Sequence, residues 1–585
     1  MSINKRKENK RKSKNAMLRL VDYMKPYAHW VIFALLLVLF LTGFDLYRPM
    51  LVGDAIDTFG ENGDYDVIVN TAIKYAIVLA FSFAFNIAQT WILQKAGQNI
   101  ILQIRKDLYR HIQSLGSRYF DITPVGKLVT RVTNDVEALN EMYSGILVQL
   151  FRNIVKIVGL AGVMLVLDVK LAAISFVLMP LVIGLTALCQ KIARNIYRLY
   201  RTRLTDLNTF LSEHLTGMKI IQIFGRQERK FEEFHDKNTK LYRAFYREML
   251  MYAIFRPLIY ILSIFSLMIV LWFGSKNVFN ATISVGTLYI FSNYIRSFFD
   301  PIQELAEQFS TLQSSIASAE KIFTVMDEQE FIPEIEEPKR PDKIIGKIEF
   351  DHVWFAYDGE NYVLKDVSFV INPGEKVAFV GATGAGKSSI LNLIGRYYDI
   401  QKGHIYIDGI DIRNLSKKQL RSAIGQMQQD VFIFEGDVAY NIRLNDREIT
   451  DEQVKEAAEY VNASHFIEKL PNGYHEPVTE RGATFSAGER QLLSFARTLA
   501  HDPSILVMDE ATANIDTETE ILIQEALEKL MDGRTTIMVA HRLSTIQHAD
   551  CIMVMHKGRI CERGTHQQLL EQDGIYRKLY ELQIS

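Results

Sequence analysis

The stretch Gly381-Ala-Thr-Gly-Ala-Gly-Lys387-Ser388 decides the fold class of the second half of this chain. It fits the G-x-x-x-x-G-K-[ST] pattern of a phosphate-binding loop. The run Lys376–Val380 before it reads as a buried strand, and the run Ser389–Ile394 after it reads as a helix. Glycines let the backbone curl so that successive N–H groups point at a triphosphate, and the helix N-terminus adds positive potential. This context predicts an α/β P-loop domain that binds nucleotide.

The loop itself supplies most of the predicted nucleotide ligands. Lys387 is expected to reach the β- and γ-phosphates of ATP, and the Ser388 hydroxyl is expected to bind Mg²⁺. The other predicted ligands are Gly381, Ala382, Thr383, Gly384, Ala385, Gly386 and Ser389. The alternative, an ordinary glycine-rich turn, is disfavoured because all fixed positions of the pattern and both flanks are present.

Length, charge and cysteine content restrict the class of protein. A chain of 585 residues is too long for one hydrophobic core, so we expect two or more domains. The formal net charge of −2 argues against nucleic acid as a partner. The three cysteines, Cys189, Cys551 and Cys561, cannot make a disulfide framework and lack zinc-ligand spacing. A reducing environment for the soluble part fits these observations.

The first half of the chain contains long apolar runs that do not recur after about residue 340. About 20 helical residues cross a hydrocarbon core of about 30 Å. The predicted membrane spans are Pro26–Phe44, Tyr75–Gln94, Tyr143–Leu167, Leu171–Gln190, Pro257–Ser275 and Asn277–Ile295. The third span contains Arg152 and Lys156 on one helix face, which suits a wall facing water or another helix. Six buried helices of a soluble protein are the alternative, but soluble cores rarely supply so many such runs.

Basic residues predict how the spans are oriented. Residues 5–14 hold seven Lys or Arg and one Glu, whereas Val52–Asn70 holds five acidic residues and no Lys or Arg. We therefore expect a multi-pass protein of the plasma membrane with both termini in the cytoplasm. An organelle transit peptide is the alternative for the basic leader, which is short, lysine-rich and not amphipathic.

The connections between spans predict the domain organisation. Residues 95–142 and 191–248 are long, charged and helical in pattern, so the helices are expected to continue into the cytoplasm. Breaks at Thr123–Gly126 and Leu215–Gly217 are either turns where another domain docks or tips of plain surface hairpins. The predicted domains are a basic N-terminus (1–15), a six-helix transmembrane domain (16–325), a linker (326–345) and an ATPase domain (346–585).

Acidic residues follow a second apolar run, Ser504–Met508. A carboxylate at the end of such a strand lies beside the phosphate loop in nucleotide-binding α/β sheets. Asp509 is expected to hold Mg²⁺, and Glu510 to polarise the attacking water as general base. His541 follows the apolar strand Thr536–Ala540 and is a candidate contact of the γ-phosphate, although a lone histidine is usually structural.

The order of these motifs resembles the ATPase domain of ABC transporters. Phe485-Ser-Ala-Gly-Glu489 follows Lys387 by about a hundred residues and shortly precedes Asp509, as the signature of that family does. Together with six spans and long internal loops, the chain resembles a type I ABC exporter in half-transporter form, similar to one subunit of a bacterial heterodimeric multidrug exporter. In such proteins two ATPase domains enclose two ATP molecules, and each site joins one chain's phosphate loop to the other chain's signature.

The resemblance implies further site residues. Tyr357 stacks on adenine, and His541 is the switch histidine. Gln429, or Gln428 in the alternative register, lies in the loop that senses Mg²⁺ and the membrane half. The residues that serve the partner's ATP are Ser486 and Gly488 of the signature and Asp516 of the following D-loop.

The signature departs from the family's Leu-Ser-Gly-Gly-Gln at Ala487 and Glu489. Ser486 and Glu489 fit a capping box for a helix predicted over Glu489–Ala500. The Glu489 carboxylate then lies near an anionic ligand, and the Ala487 methyl crowds a close backbone approach. A tolerated substitution is the alternative. The D-loop segment Ala513–Asp516 also departs from Ser-Ala-Leu-Asp, so we predict pairing with a different half-transporter that has a normal signature.

The predicted function is ATP-driven export of amphipathic drugs or lipids by alternating access, with membrane lipids and a small amphipathic substrate as further partners. A homodimeric lipid or peptide exporter is the alternative, and an ATP-gated channel is disfavoured by the intact Glu510. Arg296 is expected near the end of the last span, either in the pathway or at the membrane edge. Candidate wall residues, for which helix packing is the alternative role, are Phe81, Phe83, Phe85, Phe291, Tyr294, Phe298 and Phe299.

Overall fold

The computed structural model describes residues 16–177, 179–280, 282–429, 431–479, 482, 484–509, 517–539 and 546–584. The chain divides into two compact units. The membrane unit comprises residues up to Gln113 and Val125–Glu328, and the ATPase unit comprises Ser114–Pro124 and the residues from Gln329 onward. The boundary after Glu328 lies inside the predicted linker, and the segment Ser114–Pro124 groups with the ATPase unit.

The membrane unit is built from long helices. Its helices, with the short α4 of the segment Ser114–Pro124, are α1 (16–24), α2 (Ala28–Asn62), α3 (Tyr65–Ser114), α4 (Ser117–Ile122), α5 (Val125–Thr130), α6 (Val136–Glu141), α7 (Leu147–Leu167), α8 (Val169–Phe176), α9 (Met179–Thr216), α10 (Met218–Ile223), α11 (Gln227–Phe279) and α12 (Val285–Met326). Two π-helical turns, Arg131–Asp135 and Met142–Ile146, join α5 to α6 and α6 to α7.

Five helical stretches among the described residues are long and apolar enough to cross a membrane. They are Ala16–Gly60, Tyr65–Ser114, Val125–Leu167, Val169–Thr216 and Gln227–Phe279. Because each is 43 to 53 residues long, each exceeds the roughly 20 residues that a membrane needs. The helices therefore continue beyond the hydrocarbon region.

The boundaries predicted for the last span, Asn277–Ile295, are wrong. Helix α11 continues to Phe279, and α12 begins at Val285. Ser284 sets this start, because its Oγ accepts a hydrogen bond from the backbone N–H of Thr287 at 3.0 Å. Arg296 consequently lies eleven residues inside α12 rather than near the end of a span.

The predicted span Leu171–Gln190 lies within the helical stretch Val169–Thr216. Helix α8 ends at Phe176, and α9 begins at Met179 with Pro180 as its second residue. Leu178, between these two helices, lies outside the described residues.

A glycine pair lets α2 and α12 approach closely. A Cβ at Gly286 would collide with the Gly53 carbonyl oxygen and with the Asp57 carboxylate. Asp57 Oδ1 also accepts a hydrogen bond from the Gly286 N–H at 2.7 Å. Small residues are common where membrane helices pack closely, so this contact joins the first long helix to the last.

The ATPase unit contains two main sheets. An antiparallel sheet has the strand order β2-β1-β4-β5, and a six-stranded sheet has the order β12-β11-β3-β10-β9-β6. The strands are β1 (Ile348–Phe355), β2 (Leu364–Ile371), β3 (Lys376–Val380), β4 (Lys402–Ile407), β5 (Ile410–Asp411), β6 (Ile424–Met427), β7 (Gly436–Asp437), β8 (Pro477–Val478), β9 (Ile505–Asp509), β10 (Thr535–Val539), β11 (Cys551–His556) and β12 (Arg559–Gly564). In the larger sheet only β12 runs antiparallel to its neighbour.

Helices cover the larger sheet of the ATPase unit. They are α13 (Lys387–Ile394), α14 (Lys417–Ser422), α15 (Val438–Arg443), α16 (Asp451–Tyr460), α17 (Ser464–Ile467), α18 (Ala487–Ala500), α19 (Thr517–Met531), α20 (His566–Glu571) and α21 (Ile575–Ile584). The strand predicted over Lys376–Val380 is confirmed, and α13 begins two residues before the predicted helix start at Ser389.

We expect Gly286→Ala to destabilise the membrane unit, because the new methyl group must displace backbone of α2. Overpacking of this kind costs roughly 1–3 kcal/mol, which will appear as a lower melting temperature of the purified protein. Gly43→Ala is the matched control, because a Cβ at Gly43 meets nothing within 4 Å. Equal melting temperatures for the two variants would contradict the close packing of α2 and α12.

Candidate nucleotide-binding site

The register of three parallel strands brings the predicted phosphate-binding groups to one edge of the sheet. Phe379 of β3 is opposite Val539 of β10, and Val539 is opposite Asp509 of β9. The loop that begins at Gly381 and the carboxylate of Asp509 therefore leave the sheet at the same level. Strand β10 lies between them.

The backbone of the phosphate loop requires glycine. Gly386 has a φ of 104°, which disfavours other residues, and a Cβ there would lie 2.7 Å from Leu364 Cδ2. A Cβ at Gly381 would collide with the carbonyl oxygen of Met555 in β11. The loop thus curls tightly against the neighbouring strand, and α13 begins at its end. The first N–H groups of a helix have no intrahelical partner, so they are available to an anion.

Lys387 is buried at the start of α13, with 6% of its surface exposed. Its Nζ donates hydrogen bonds to the carbonyl oxygens of Gly381 at 2.6 Å and Ala382 at 3.2 Å. Burial lowers the pKa of this ammonium group, and the nearby carboxylate of Asp509 opposes the shift. The loop therefore holds a cation that lacks a full counter-ion within the described chain, which fits a phosphate ligand.

Tyr357 lies beside the helix that follows the phosphate loop. Its hydroxyl is 3.1 Å from Ser389 Oγ, and Asn392 Nδ2 donates to it at 3.4 Å. Its ring meets the rings of Phe355 and Tyr398 edge to face, at centroid distances of 4.7 and 5.0 Å. The structure thus places the predicted adenine contact next to the predicted phosphate site.

The signature segment forms the predicted capping box. The backbone N–H of Glu489 donates to Ser486 Oγ at 3.2 Å, and the backbone N–H of Ser486 donates to Glu489 Oε2 at 2.7 Å. Helix α18 begins at Ala487, two residues before the predicted start, because Ser486 is its N-cap. The Ser486 N–H at the beginning of this helix is therefore already hydrogen-bonded to the carboxylate of Glu489. Gly488 is buried.

Several predicted residues follow strand ends. Gln428 and Gln429 come directly after β6, and both are exposed, so the structure is compatible with either register. Glu510, Asp516 and His541 lie outside the described residues. Asp509 immediately precedes Glu510.

The sequence did not predict how the segment Ser114–Pro124 meets the ATPase core. Tyr398 donates a hydrogen bond to the carboxylate of Asp121, and Arg118 pairs with Glu330 at 3.1 Å and with Asp358 at 3.6 Å. Burial, and next the bond to Asp121, raise the pKa of Tyr398. The sequence feature that pointed to this contact was the break at Thr123–Gly126. From the sequence, the break was interpreted either as a turn where another domain docks or as the tip of a plain surface hairpin.

The predicted aromatic walls of the membrane half divide into two groups. Phe81 and Phe83 are exposed on α3. Phe85 contacts the rings of Phe40 and Phe44 of α2. The buried members, which belong to the packing core of the helices, are Phe291, Tyr294, Phe298 and Phe299. Helix packing therefore accounts for the α12 group.

Comparisons with known proteins give matches over both halves. Residues 31–302 match the family of ABC transporter transmembrane regions, and residues 364–513 match the ABC transporter family. A protein of Streptococcus pneumoniae named as an ABC transporter ATP-binding protein, exp8, is 40% identical over 98% of each chain. The probable multidrug resistance ABC transporter ATP-binding/permease protein YheH of Bacillus subtilis is 41% identical over 87% of this chain and 76% of its own.

A solved structure gives the same fold. The structure of a bacterial Atm1-family ABC exporter with ATP bound matches 95% of this chain and 98% of its own chain, with a TM-score of 0.78. Its sequence is 24% identical, so the match concerns the fold alone.

We expect ATP affinity to fall at alkaline pH sooner than for an ordinary lysine site. The lowered pKa of Lys387 means that its ammonium form is lost as pH rises toward the usual lysine range of about 10.4. Above the pKa of the free site, log Kd should rise by about one unit per pH unit. Fluorescent nucleotide titration measures this dependence.

Two variants control for general alkaline effects on nucleotide binding. Lys387→Gln should bind weakly at every pH, and the exposed Lys469→Gln should behave as the wild type. A wild-type affinity that stays constant up to the usual lysine pKa would contradict the role of Lys387.

Proposed function

Because this chain belongs to the ABC transporter family and has the exporter fold, we propose that it is one half of a dimeric exporter that moves amphipathic compounds across the plasma membrane by alternating access. The main support for this proposal is that one chain contains both helices long enough to cross a membrane and a phosphate loop with a buried lysine. An ATPase domain joined to its own membrane domain couples nucleotide hydrolysis to helix movement.

The ATP site is proposed to use the groups that the parallel sheet aligns. Lys387 exchanges its hydrogen bonds to the loop carbonyl groups for bonds to phosphate oxygens, and the N–H groups at the start of α13 bind the same anion. The donor set of Ser388, Asp509 and Gln429 consists of oxygen ligands that fit Mg²⁺. Bound Mg²⁺ neutralises charge on the phosphates. Glu510 accepts a proton from the attacking water, and His541 contacts the γ-phosphate.

The second half of the exporter is proposed to dock on an apolar tip of the membrane unit. The tip surrounds α10, and its exposed apolar residues are Leu215, Ile220, Ile223 and Phe224. An exposed apolar group of this kind indicates an interaction site. We therefore propose that the break at Leu215–Gly217 marks a docking point rather than a plain hairpin tip.

The partner is proposed to be a different chain, since the contribution of this chain to the partner's ATP is altered. The N–H of Ser486, at the start of α18, is bonded to the Glu489 carboxylate. An anion that approaches this helix start therefore meets a carboxylate at the position where the family's signature has a neutral amide. The phosphate loop of the same chain has no such defect. The phosphate loop of this chain is therefore proposed to form the active one of two unequal ATP sites.

Glu510→Gln should lower the rate of ATP hydrolysis by roughly 10²–10⁴, because a general base contributes about that much. The variant should retain bound ATP. Phosphate release from the purified transporter measures the rate, and Glu528→Gln, on the exposed face of α19, is the matched control. Hydrolysis by Glu510→Gln at the wild-type rate would show that Glu510 is not the general base.

The chain purified alone, as a homodimer, should show weak transport-coupled ATPase activity. Restoring the signature with Ala487→Gly and Glu489→Gln should raise that activity roughly tenfold, because a neutral amide replaces a carboxylate whose repulsion of an anionic ligand is about 1 kcal/mol or more. Glu468→Gln, an exposed carboxylate elsewhere, is the control. Robust transport-coupled hydrolysis by the unmodified homodimer would favour the homodimeric exporter instead.

A further inference from the structure

Three charged side chains form an ion-paired cluster inside the membrane unit. The Asp45 carboxylate of α2 pairs with Arg48 of the same helix and with Arg152 of α7, whose Nη2 lies 3.3 Å from Asp45 Oδ2. Arg152 precedes Leu167, the end of α7, by fifteen residues, which is about 22 Å along a helix. We place one membrane surface at Asp168, between the third and fourth predicted spans, so the cluster lies within a hydrocarbon core of about 30 Å. Charges at this depth are costly and mark functional sites.

Lys156 extends the cluster along α7. It follows Arg152 by four residues, so both side chains lie on one helix face. Gly159 of the same face packs against Leu46 of α2. No ion pair joins Lys156 to a carboxylate among the residues that the structure describes. The basic cluster is therefore defined by Arg48, Arg152 and Lys156.

The basic cluster has more positive charge than its surroundings neutralise. Arg48 Nε is buried and has no hydrogen-bond acceptor among the described residues. Among the described residues, Asp45 is the carboxylate that pairs with these bases, and it is shared by Arg48 and Arg152. Glu304 of α12 accepts a hydrogen bond from Asn153, the chain neighbour of Arg152, at 2.9 Å. A buried N–H without an acceptor is costly, so the cluster favours an additional anion.

An apolar groove lies between α2 and α3, and its lining begins one helical turn after Arg48. Its volume is about 530 Å³, within the range of about 300–1,000 Å³ for small-molecule pockets. The residues of α2 that line it are Val52, Ala55, Ile56 and Phe59. Arg48 precedes Val52 by four residues and Asp45 precedes it by seven, so cluster and groove share one face of α2.

The two ends of the groove differ in the charge of the residues beside them. Arg48 lies one helical turn before Val52 at one end of the groove, whereas the α2–α3 turn beyond Phe59, at the other end, carries Asp64 and Asp66. An anionic group is attracted to the first end and repelled from the second. The apolar walls between the two ends suit a hydrocarbon chain.

We propose that the basic cluster and the groove together bind one amphiphile, with a carboxylate or phosphate headgroup at Arg48, Arg152 and Lys156 and an apolar tail between α2 and α3. The inference rests on the proposed function, because this amphiphile is the exported compound. Arginine suits such a headgroup because it donates two parallel hydrogen bonds. Asp45 is the internal counter-ion that holds both guanidinium groups and competes with the headgroup. The cargo class is then anionic rather than cationic.

Equilibrium binding of radiolabelled dodecanoate to the full chain in phosphatidylcholine nanodiscs tests the site, with empty nanodiscs as background. Lys156→Gln and Arg152→Gln should each raise the Kd about tenfold or more. Ala72→Trp, which fills the groove without changing a charge, should also weaken binding. Lys74→Gln, an exposed base on α3, should leave the Kd unchanged. Unchanged binding in Lys156→Gln, which has no ion pair to lose, would overturn the proposal.

Two further probes separate the parts of the ligand. Dodecyltrimethylammonium has the same tail with the opposite charge, and inorganic phosphate has charge without a tail. Both should compete at least about tenfold more weakly than unlabelled dodecanoate. Equal competition by either probe would contradict an anionic amphiphile.

ATP hydrolysis distinguishes cargo from a resident lipid. Dodecanoate should stimulate hydrolysis by the wild-type transporter, and Lys156→Gln should need a higher concentration for the same effect. Binding without stimulation would overturn the cargo assignment. A wild-type transporter that hydrolyses no ATP would instead refute the proposed function, while the binding measurement still decides whether the site exists.

Discussion

The parallel register of β3, β10 and β9 is the constraint on which the nucleotide chemistry depends. Phe379, Val539 and Asp509 lie at one level, so the phosphate loop and the carboxylate emerge at one edge of the sheet. A slip of one residue would turn the Asp509 side chain to the other face. The strands resist such a slip because their side chains are buried on both faces; Phe379 and Val539 are at most 1% exposed. Packing therefore positions the groups proposed to bind phosphate and Mg²⁺.

The sequence alone predicted the elements that carry strong local signals. The phosphate loop, strand β3 and the capping box of Ser486 and Glu489 depend on glycine geometry, apolar runs and helix capping, all of which are local. The predicted start of the last membrane helix was wrong because residues 277–284 contain no charged side chain that would mark a boundary. The hydrogen bond between Ser284 and Thr287 shows where α12 begins.

Contacts between distant segments could not be predicted. The bonds of Asp121 with Tyr398 and of Asp45 with Arg152 join residues far apart in the chain. The sequence placed Arg152 on a face that meets water or another helix, and the structure shows that its partner is α2. Such pairs depend on tertiary packing, which no spacing rule encodes. The roles of Glu510, Asp516 and His541 remain predictions from the motif order.

Each of the two units contains a site with more positive charge than its neighbouring groups neutralise. In the ATPase unit, Lys387 is a buried cation held by loop carbonyl groups, which phosphate is proposed to replace. In the membrane unit, Arg48 and Arg152 share the Asp45 carboxylate, and no ion pair joins Lys156 to a carboxylate among the described residues. Both sites thus favour anionic ligands, one a nucleotide and the other an amphiphile. The altered signature, which we propose serves the ATP of the partner, concerns neither of them.

The central claim is that nucleotide bound at this chain's own loop drives export. The most direct test is the initial rate of ATP-dependent movement of an amphipathic dye across proteoliposomes that contain this chain and its partner half-transporter. The account predicts transport that requires ATP and Mg²⁺ and is almost abolished by Lys387→Ala, with the dye still bound. Transport at the wild-type rate in Lys387→Ala would contradict it.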